Sequence, residues 1–233
     1  MSNDSIKIGN FRWVICGVLF LATTINYVDR QVLSILKPMI VHWPGWSELE
    51  YGRVISFFQL AYAAMMVVAG ALIDRIGIRK GLAIAITFWS LAAMGHALSG
   101  TVASFMLWRI LLGFGEAANF PASIKTVAEW FPKSQRALAA GVFNSGTNVG
   151  AFVTPFAVAW ILSTLGSWRW AFILTGALGF LWLVLWLIIY KRPEEHPYLA
   201  KPELAYIQSE PEEKIKKTPW LPLLRHKQTW AFA

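Results

Sequence analysis

Four side chains in this sequence could do chemistry away from water. Asp29 and Arg30 stand together in Thr23-Thr24-Ile25-Asn26-Tyr27-Val28-Asp29-Arg30-Gln31, with apolar residues running from Trp13 to Ala22 before them and from Val32 to Val41 after them. Arg109 and Glu116 lie in a second apolar run, Arg109-Ile-Leu-Leu-Gly113-Phe-Gly115-Glu116-Ala-Ala-Asn119-Phe-Pro121. A guanidinium forks two N–H groups onto a carboxylate or phosphate, and a carboxylate taken out of water can carry a proton. Such groups point to anion binding and proton exchange rather than to making and breaking covalent bonds. An enzyme would need a nucleophile, a metal cluster or a general-base dyad. The four histidines, His42, His96, His196 and His226, are scattered without a ligand-spaced partner and read as loop or interface residues. No enzyme activity, metal or cofactor is expected.

The elements that must position these groups are helices. The run around Asp29 has roughly 30 residues, longer than the ~20 that cross a bilayer at 1.5 Å per residue, so the pair falls near mid-membrane. A charge there costs on the order of 3 kcal/mol, which makes it a functional-site hypothesis by default. Neighbours on a helix are about 100° apart, so Asp29 and Arg30 cannot share a face. Counting in threes and fours from Arg30 gives Thr23, Asn26, Tyr27, Ser34 and Lys37, a polar stripe expected to face a wet cavity. The count from Asp29 gives Ile25, Val32, Leu33 and Leu36, so Asp29 is expected to face other helices and to find its cation on one of them. By the same spacing Arg109, Gly113, Glu116, Asn119 and Ser123 form a second charged stripe. Gly113 and Gly115 admit a close neighbour there, and Pro121 invites a kink. Asn144, Ser145, Thr147 and Asn148 serve either helix packing or cavity lining. Ser56, Gln59 and Tyr62 mark another span, with Tyr62 placed toward the cavity because it is mid-span.

Composition agrees with an all-α integral membrane protein: 56% of residues are hydrophobic and 15% charged, with 13 Trp and 15 Phe. The net charge of +8 comes in short basic clusters between apolar spans, which reads as membrane orientation and not as nucleic-acid binding. The single cysteine, Cys16, excludes an internal disulfide. The polar lead 1–10 runs into a span too long for a signal peptide. Six spans are expected at roughly 12–41, 51–73, 81–99, 103–131, 136–164 and 169–190, forming one bundle over 1–190. Lys7, Arg12, Arg75, Arg79, Lys80, Lys133, Arg136, Lys191 and Arg192 flank alternate connections, which places the N-terminus in the cytoplasm and the 42–50 loop outside. Trp43, Trp46, Trp168 and Trp170 would form an outer aromatic belt, and Trp13 and Trp130 an inner one. Residues 191–219 read as a cytoplasmic linker with a short surface helix near 202–207, and 220–233 as the start of a second bundle.

The connection Gly70-Ala-Leu-Ile-Asp74-Arg75-Ile-Gly77-Ile-Arg79-Lys80 joins the second and third spans. Its glycines permit a tight turn, and its basic triplet suits anionic headgroups. The string resembles the signature loop of the major facilitator superfamily. Asn26-Tyr27-Val28-Asp29-Arg30, then Asp74-Arg75, then Arg109 with Gly-Phe-Gly-Glu116-Ala, and Glu129-Trp-Phe-Pro together resemble its anion:cation symporter family, nearest to hexuronate and aldonate transporters. The resemblance covers all six spans. It implies a fold of twelve helices in two six-helix bundles, of which this is the N-terminal one, around a site open alternately to each side. It implies proton-coupled uptake of an organic anion, chiefly a sugar acid, in the cytoplasmic membrane. By matching position, Arg30 and Tyr62 would contact the anion, Asp29 and Glu116 would be the protonatable pair, and Arg109 would join their network. Asn26, Tyr27, Lys37, Gln59, Asn144, Thr147 and Asn148 are the further candidates for lining the anion site. Gly70, Asp74, Arg75, Gly77, Arg79 and Lys80 would form a loop that acts in the conformational change. The partners implied are the sugar acid, protons, the lipid bilayer and a C-terminal six-helix half. The competing reading is an antiporter of phosphate esters, since Arg30 and Lys37 suit phosphate as well; Asp29 and Glu116 favour proton coupling.

Overall fold

The computed structural model describes residues 9–43 and 45–210. The expectations for 211–233, including the start of a second bundle and His226, lie outside the described residues. Eight α-helices follow in order: α1 Phe11–Ile40, α2 Glu48–Ile76, α3 Ile78–Gly95, α4 Val102–Glu116, α5 Asn119–Trp130, α6 Lys133–Leu165, α7 Trp168–Ile189 and α8 Lys201–Ile207. A 3₁₀ turn, His96–Leu98, extends α3. Five helices are long and apolar enough to cross a membrane: α1, α2, α3 with its extension, α6 and α7. The fourth crossing is shared by α4 and α5. Pro121 has no N–H to give the Ala117 carbonyl, so the ladder breaks at Ala117-Ala118 while the backbone there stays right-handed (φ −59°, ψ −23° at Ala117). The described residues therefore form an all-helical, six-crossing membrane bundle.

The helices pair in a pattern that the order of the chain does not suggest. The most extensive contacts are α1 with α6, α2 with α4, and α3 with α7, that is, spans one and five, two and four, three and six. Exchanging one with four, two with five and three with six converts the first two pairs into each other and leaves the third unchanged. This is the packing expected of two inverted three-helix repeats. Glycines set the closest approaches. A Cβ on Gly146 or Gly150 of α6 would meet the Phe20 or Thr24 carbonyl of α1 at 2.5 and 2.6 Å, so only hydrogen fits there.

The core has two apolar halves. One gathers Ile15, Leu19, Trp89, Leu112, Trp130 and Trp186; the other gathers Val32, Leu36, Phe105, Val158 and Phe172. On α1 and α4 the gap between them falls at Asp29-Arg30 and at Arg109. Large side chains on the outside, such as Phe152, Trp160, Leu181 and Ile188, are 63–70% exposed and face lipid.

Two sequence expectations change. The belts dissolve: Trp46 and Trp130 are buried, Trp43 packs on Trp168 at 4.9 Å, Trp13 packs on Phe131 at 5.1 Å, and only Trp170 of the six stands well exposed. These rings close the ends of the bundle because they meet Phe105 and Phe131 edge-on, a better arrangement than lying alone at the interface. The short helix at 201–207 is docked rather than free. Glu203, 1% exposed, accepts from the N–H groups of Phe11 and Arg12 at 3.1 Å each and pairs with the Arg12 guanidinium at 3.0 Å. The carboxylate thereby caps the first turn of α1, where the helix dipole favours a negative charge.

Glu203→Ala would leave Arg12 buried and uncompensated and two N–H groups of α1 unpaired. Loss of a buried partner of this kind costs on the order of 3 kcal/mol. The variant is expected to melt several degrees below the parent in a thermal unfolding measurement, and an unchanged melting temperature would contradict the docked arrangement.

Candidate functional site

Arg30 leaves α1 into a cradle of three rings. Its guanidinium carbon lies 4.9 Å from the Tyr27 ring, 4.9 Å from Phe58 and 4.8 Å from Tyr62. Phe58 and Tyr62 are one turn apart on α2 and stack at 6.0 Å. Cation–π contact of this kind contributes roughly 0.5–2 kcal/mol per ring, more as water is removed. Arg30 Nε and Nη2 both donate to one carboxylate oxygen of Glu116, at 3.0 and 2.8 Å. The other oxygen of Glu116 is buried with no hydrogen-bond partner among the described residues. The Glu116 side chain is 0% exposed and that of Arg30 is 21% exposed, so the arginine is the half of the pair that water reaches.

Arg109 lies close enough to Asp29 and Glu116 to act on both electrostatically, but its hydrogen bonds go to a backbone carbonyl. Its Nη1 and Nη2 donate to the Arg30 backbone carbonyl at 3.3 Å, and its guanidinium lies 5.6 Å from Phe58. Phe58 thus sits between two guanidinium groups. Asp29 is 2% exposed and shares its surroundings with Arg109, Glu116 and Thr175, yet it makes no ion pair among the described residues. Its expected cation is engaged elsewhere: Arg30 is turned to Glu116 and Arg109 to a carbonyl.

The polar stripe of α1 divides between two environments. Thr23 and Asn26 are buried, with Thr23 accepting from Asn119 at 3.4 Å, so this end faces α5. Tyr27 and Arg30 are half-exposed in the cradle. Lys37 is not brought into it; it pairs with Glu48 at 2.8 Å and lies 4.9 Å from the Tyr51 ring at the far end of α1. On α2, Gln59 is exposed next to the cradle in sequence. Asn144 and Asn148 are exposed on α6 and Thr147 partly so, while the glycines between them carry the contact with α1. The described residues therefore leave these three polar side chains on an open face of the bundle.

The stretch Gly70–Lys80, expected as a loop, is helical on both sides of Gly77, and the end of α2 within it is held by two contacts that the sequence did not disclose. Lys125 of α5 donates to the Gly70 carbonyl and to Asp74, both at 2.5 Å. Gly77 closes α2 at φ +83°, a conformation that favours glycine. Arg79 donates to the Leu187 carbonyl of α7, while Arg75 and Lys80 are exposed. Trp186 returns a bond to the Arg79 carbonyl at 3.0 Å.

His96 is also placed differently from its reading as a loop or interface residue. It is 0% exposed, bonded through Nδ1 to the Ala92 carbonyl at 2.8 Å and stacked on Phe172 at 5.0 Å. Phe58 could have been found, since it lies four residues before Tyr62 on one helix face. Lys125 carried no local signal because Gly70 and Asp74 lie on another helix, and the burial of His96 is set by Phe105 and Phe172 on other helices.

Glycine 113 controls the cradle, since its Cβ would lie 2.7 Å from the Phe58 carbonyl oxygen of α2. Gly113→Ala is expected to push α2 away, lowering the melting temperature and weakening any ligand held at Arg30. Gly141→Ala, where the added carbon meets nothing within 4 Å, should change neither. Equal behaviour of the two variants in melting and binding would refute the tight α2–α4 contact.

Comparisons with known proteins agree with this architecture. Residues 19–233 match the family model described as Major Facilitator Superfamily. Over 232 residues the chain is 33% identical to the hexuronate transporter of Escherichia coli (strain K12), across 97% of this chain and 54% of that protein. It is 32% identical to the galacturonate transporter of Dickeya chrysanthemi, across 97% of this chain and 67% of that one. It is 35% identical to a D-galactonate transporter of Escherichia coli, across 88% of this chain and 47% of that protein. The chain spans about half the length of most of the curated relatives it matches. Among solved structures, a bacterial homologue of the human lysosomal transporter Spinster, inward-facing and occupied, superposes with a TM-score of 0.69 at 24% identity, over 79% of this chain and 46% of that one. The xylose transporter XylE from E. coli, inward open, gives 0.60 at 21%, over 78% and 49%. These likenesses carry the fold alone. Family and relatives are transporters rather than enzymes, and the chain, a membrane-embedded helical bundle related to sugar acid transporters, belongs to the major facilitator superfamily.

Proposed function

We propose that this chain is the N-terminal half of a proton-coupled symporter for an organic anion, a hexuronate or aldonate. The single observation that carries the reading is the Arg30–Glu116 pair in its aromatic cradle. A sugar-acid carboxylate and the Glu116 carboxylate compete for the same guanidinium fork. With Glu116 ionised, the Nε–Nη2 edge of Arg30 is occupied and the anion is excluded from that edge. A proton on Glu116 neutralises it and frees the fork, so proton and anion enter together, which is the requirement of symport. The rings of Tyr27 and Tyr62 then offer hydroxyl groups beside the bound carboxylate. Asp29, one residue from Arg30 on α1 and beside Arg109, is the second proton-carrying group, because Arg109 grips the Arg30 carbonyl and links the two.

The remaining parts follow the same reading. Gln59, Asn144, Thr147 and Asn148 line the cavity shared with a second six-helix bundle. Alternating access moves the two bundles about this site, and the Gly70–Lys80 loop with Lys125 holds one end closed in turn. The end of the bundle bearing Arg12, Arg75, Arg79, Lys80, Lys125, Lys133, Arg136, Lys191 and Arg192 faces the cytoplasm, and among the described residues the opposite end has only Lys37, Arg53 and Arg169; the membrane is the cytoplasmic one. The phosphate-ester antiporter reading loses support because Lys37, its second cation, is committed to Glu48.

Binding of galacturonate or galactonate to the complete two-bundle protein tests the role of Arg30. Arg30→Ala is expected to abolish measurable binding, and Arg30→Lys to weaken it at least tenfold, because lysine has no planar fork. Retention of parental affinity by Arg30→Ala would move the anion site elsewhere.

Coupling is tested separately in reconstituted vesicles. Asp29→Asn and Glu116→Gln are each expected to lose accumulation driven by a proton gradient, while at least one keeps exchange of substrate across the membrane. If both still concentrate substrate when only a proton gradient is supplied, the acids are structural.

A further inference from the structure

Two cavities run into each other along α2 and α3, the larger bounded also by α5, α7 and α8 and the smaller by α4. The larger, about 1330 Å³, opens where α2 passes into α3, and its rim carries Lys80, Lys191 and Arg192. The smaller, about 290 Å³, is a crevice lined wholly by apolar side chains and glycine, among them Met65, Leu72, Ala85, Phe88 and Phe114. Ile73, Ile76 and Ile84 line both, so the charged opening continues into the apolar crevice.

Depth and charge define what fits. Along α2 the crevice runs from Met65 to Ile76, about 11 residues or roughly 16 Å at 1.5 Å per residue, which matches the hydrocarbon depth of one leaflet in a core of about 30 Å. Leu72 and Phe88 are 41% exposed, so the crevice is open sideways to the bilayer. In the opening, three of the four acids are engaged: Asp74 by Lys125 at 2.5 Å, Glu129 by the Tyr190 hydroxyl at 2.7 Å, and Glu210 by the Ser134 N–H at 3.2 Å. Lys80, Lys191 and Arg192 are exposed and make no ion pair among the described residues. A cationic mouth at the membrane interface leading to a leaflet-deep apolar slot is complementary to an amphiphile with a phosphate at one end.

We propose that this is a binding site for one anionic phospholipid, its phosphate held by Lys80, Lys191 and Arg192 and one acyl chain lying in the α2–α3–α4 crevice. The site is distinct from the Arg30 cradle and does not depend on which anion is carried. Because its walls join the α2–α3 loop to the end of α7, an occupied site ties that loop to the bundle.

The test is native mass spectrometry of the complete protein in detergent, titrated with phosphatidylglycerol, phosphatidylethanolamine or glycerol phosphate. One phosphatidylglycerol is expected to bind at least tenfold more tightly than either of the others. Charge reversal of the rim, Lys80→Glu with Lys191→Glu and Arg192→Glu, should remove that preference, and these positions are exposed enough not to disturb folding. Filling the crevice by Ala85→Phe should also lower phosphatidylglycerol binding at least tenfold. Leu72→Trp, at an exposed position, supplies the same obstruction should Ala85→Phe melt early. Phosphatidylethanolamine binding as well as phosphatidylglycerol would reduce the site to ordinary boundary lipid and overturn the proposal. Glycerol phosphate binding equally well, with both crevice variants silent, would make it a site for a free phosphate ester and overturn it too.

Discussion

An ion pair buried between two apolar cores governs the rest of this bundle. Arg30 sits on span one at the level where the apolar halves part and reaches Glu116 on span four, whose carboxylate is wholly cut off from water. Removing one partner of such a pair leaves the other charge buried and uncompensated, at a cost of about 3–5 kcal/mol. The remaining donors in the layer are arranged around that pair. Arg109 goes to the Arg30 carbonyl, and the rings of Tyr27, Phe58 and Tyr62 face the guanidinium where no further acid is available. A layer so constructed responds as a unit, because altering the charge on Glu116 changes what Arg30 can bind and hence what Arg109 and α1 experience.

The helices that carry this layer are brought close by absent side chains as much as by present ones. Gly113 lets α4 approach the backbone of α2 at Phe58, and Gly146 and Gly150 let α6 approach α1 beside Tyr27. In lipid there is no gain from hiding apolar surface between helices, so close van der Waals contact has to supply the association. The pairing of one with five, two with four and three with six distributes those contacts symmetrically and leaves one polar face, with Asn144, Asn148 and Gln59, open. Exposed Leu, Ile, Phe and Trp cover much of the remaining outer surface.

At the end bearing the termini of α1, α2 and α7, charge is used for attachment. Glu203 fastens α8 to the first turn of α1, Lys125 fastens α5 to the α2–α3 loop, and Arg79 fastens that loop to α7. His196 adds to this, lying against Phe11 and Trp130 and bonded to the Ile189 carbonyl at 3.0 Å. The segment after the sixth crossing is thus built into the bundle as far as Glu210 and does not behave as a plain polar tether.

How much of this was legible in the sequence depends on the range of the interaction concerned. Span number and approximate ends follow from hydropathy, because a bilayer demands about 20 apolar residues wherever a helix crosses it. The break in span four could be foreseen from Pro121, since a missing N–H is a local fact. The identity of the charged layer was equally readable, as Asp29, Arg30, Arg109 and Glu116 stand out in apolar runs. Pairing was not. Helical periodicity states which residues share a face but not which face of another helix it meets, so Arg30 meeting Glu116, Asp29 forming no ion pair among the described residues, Lys37 turning to Glu48 and Trp130 turning inward were settled only by packing. Lys125 with Asp74 and Glu203 with Arg12 are separated by 51 and 191 residues, and no local rule connects positions so far apart. The sequence by itself determined the solvent of this protein, its crossings and its stock of buried charge; the tertiary structure decided the partner of each charge, because a buried charge is stabilised by the group that touches it and not by its neighbours along the chain.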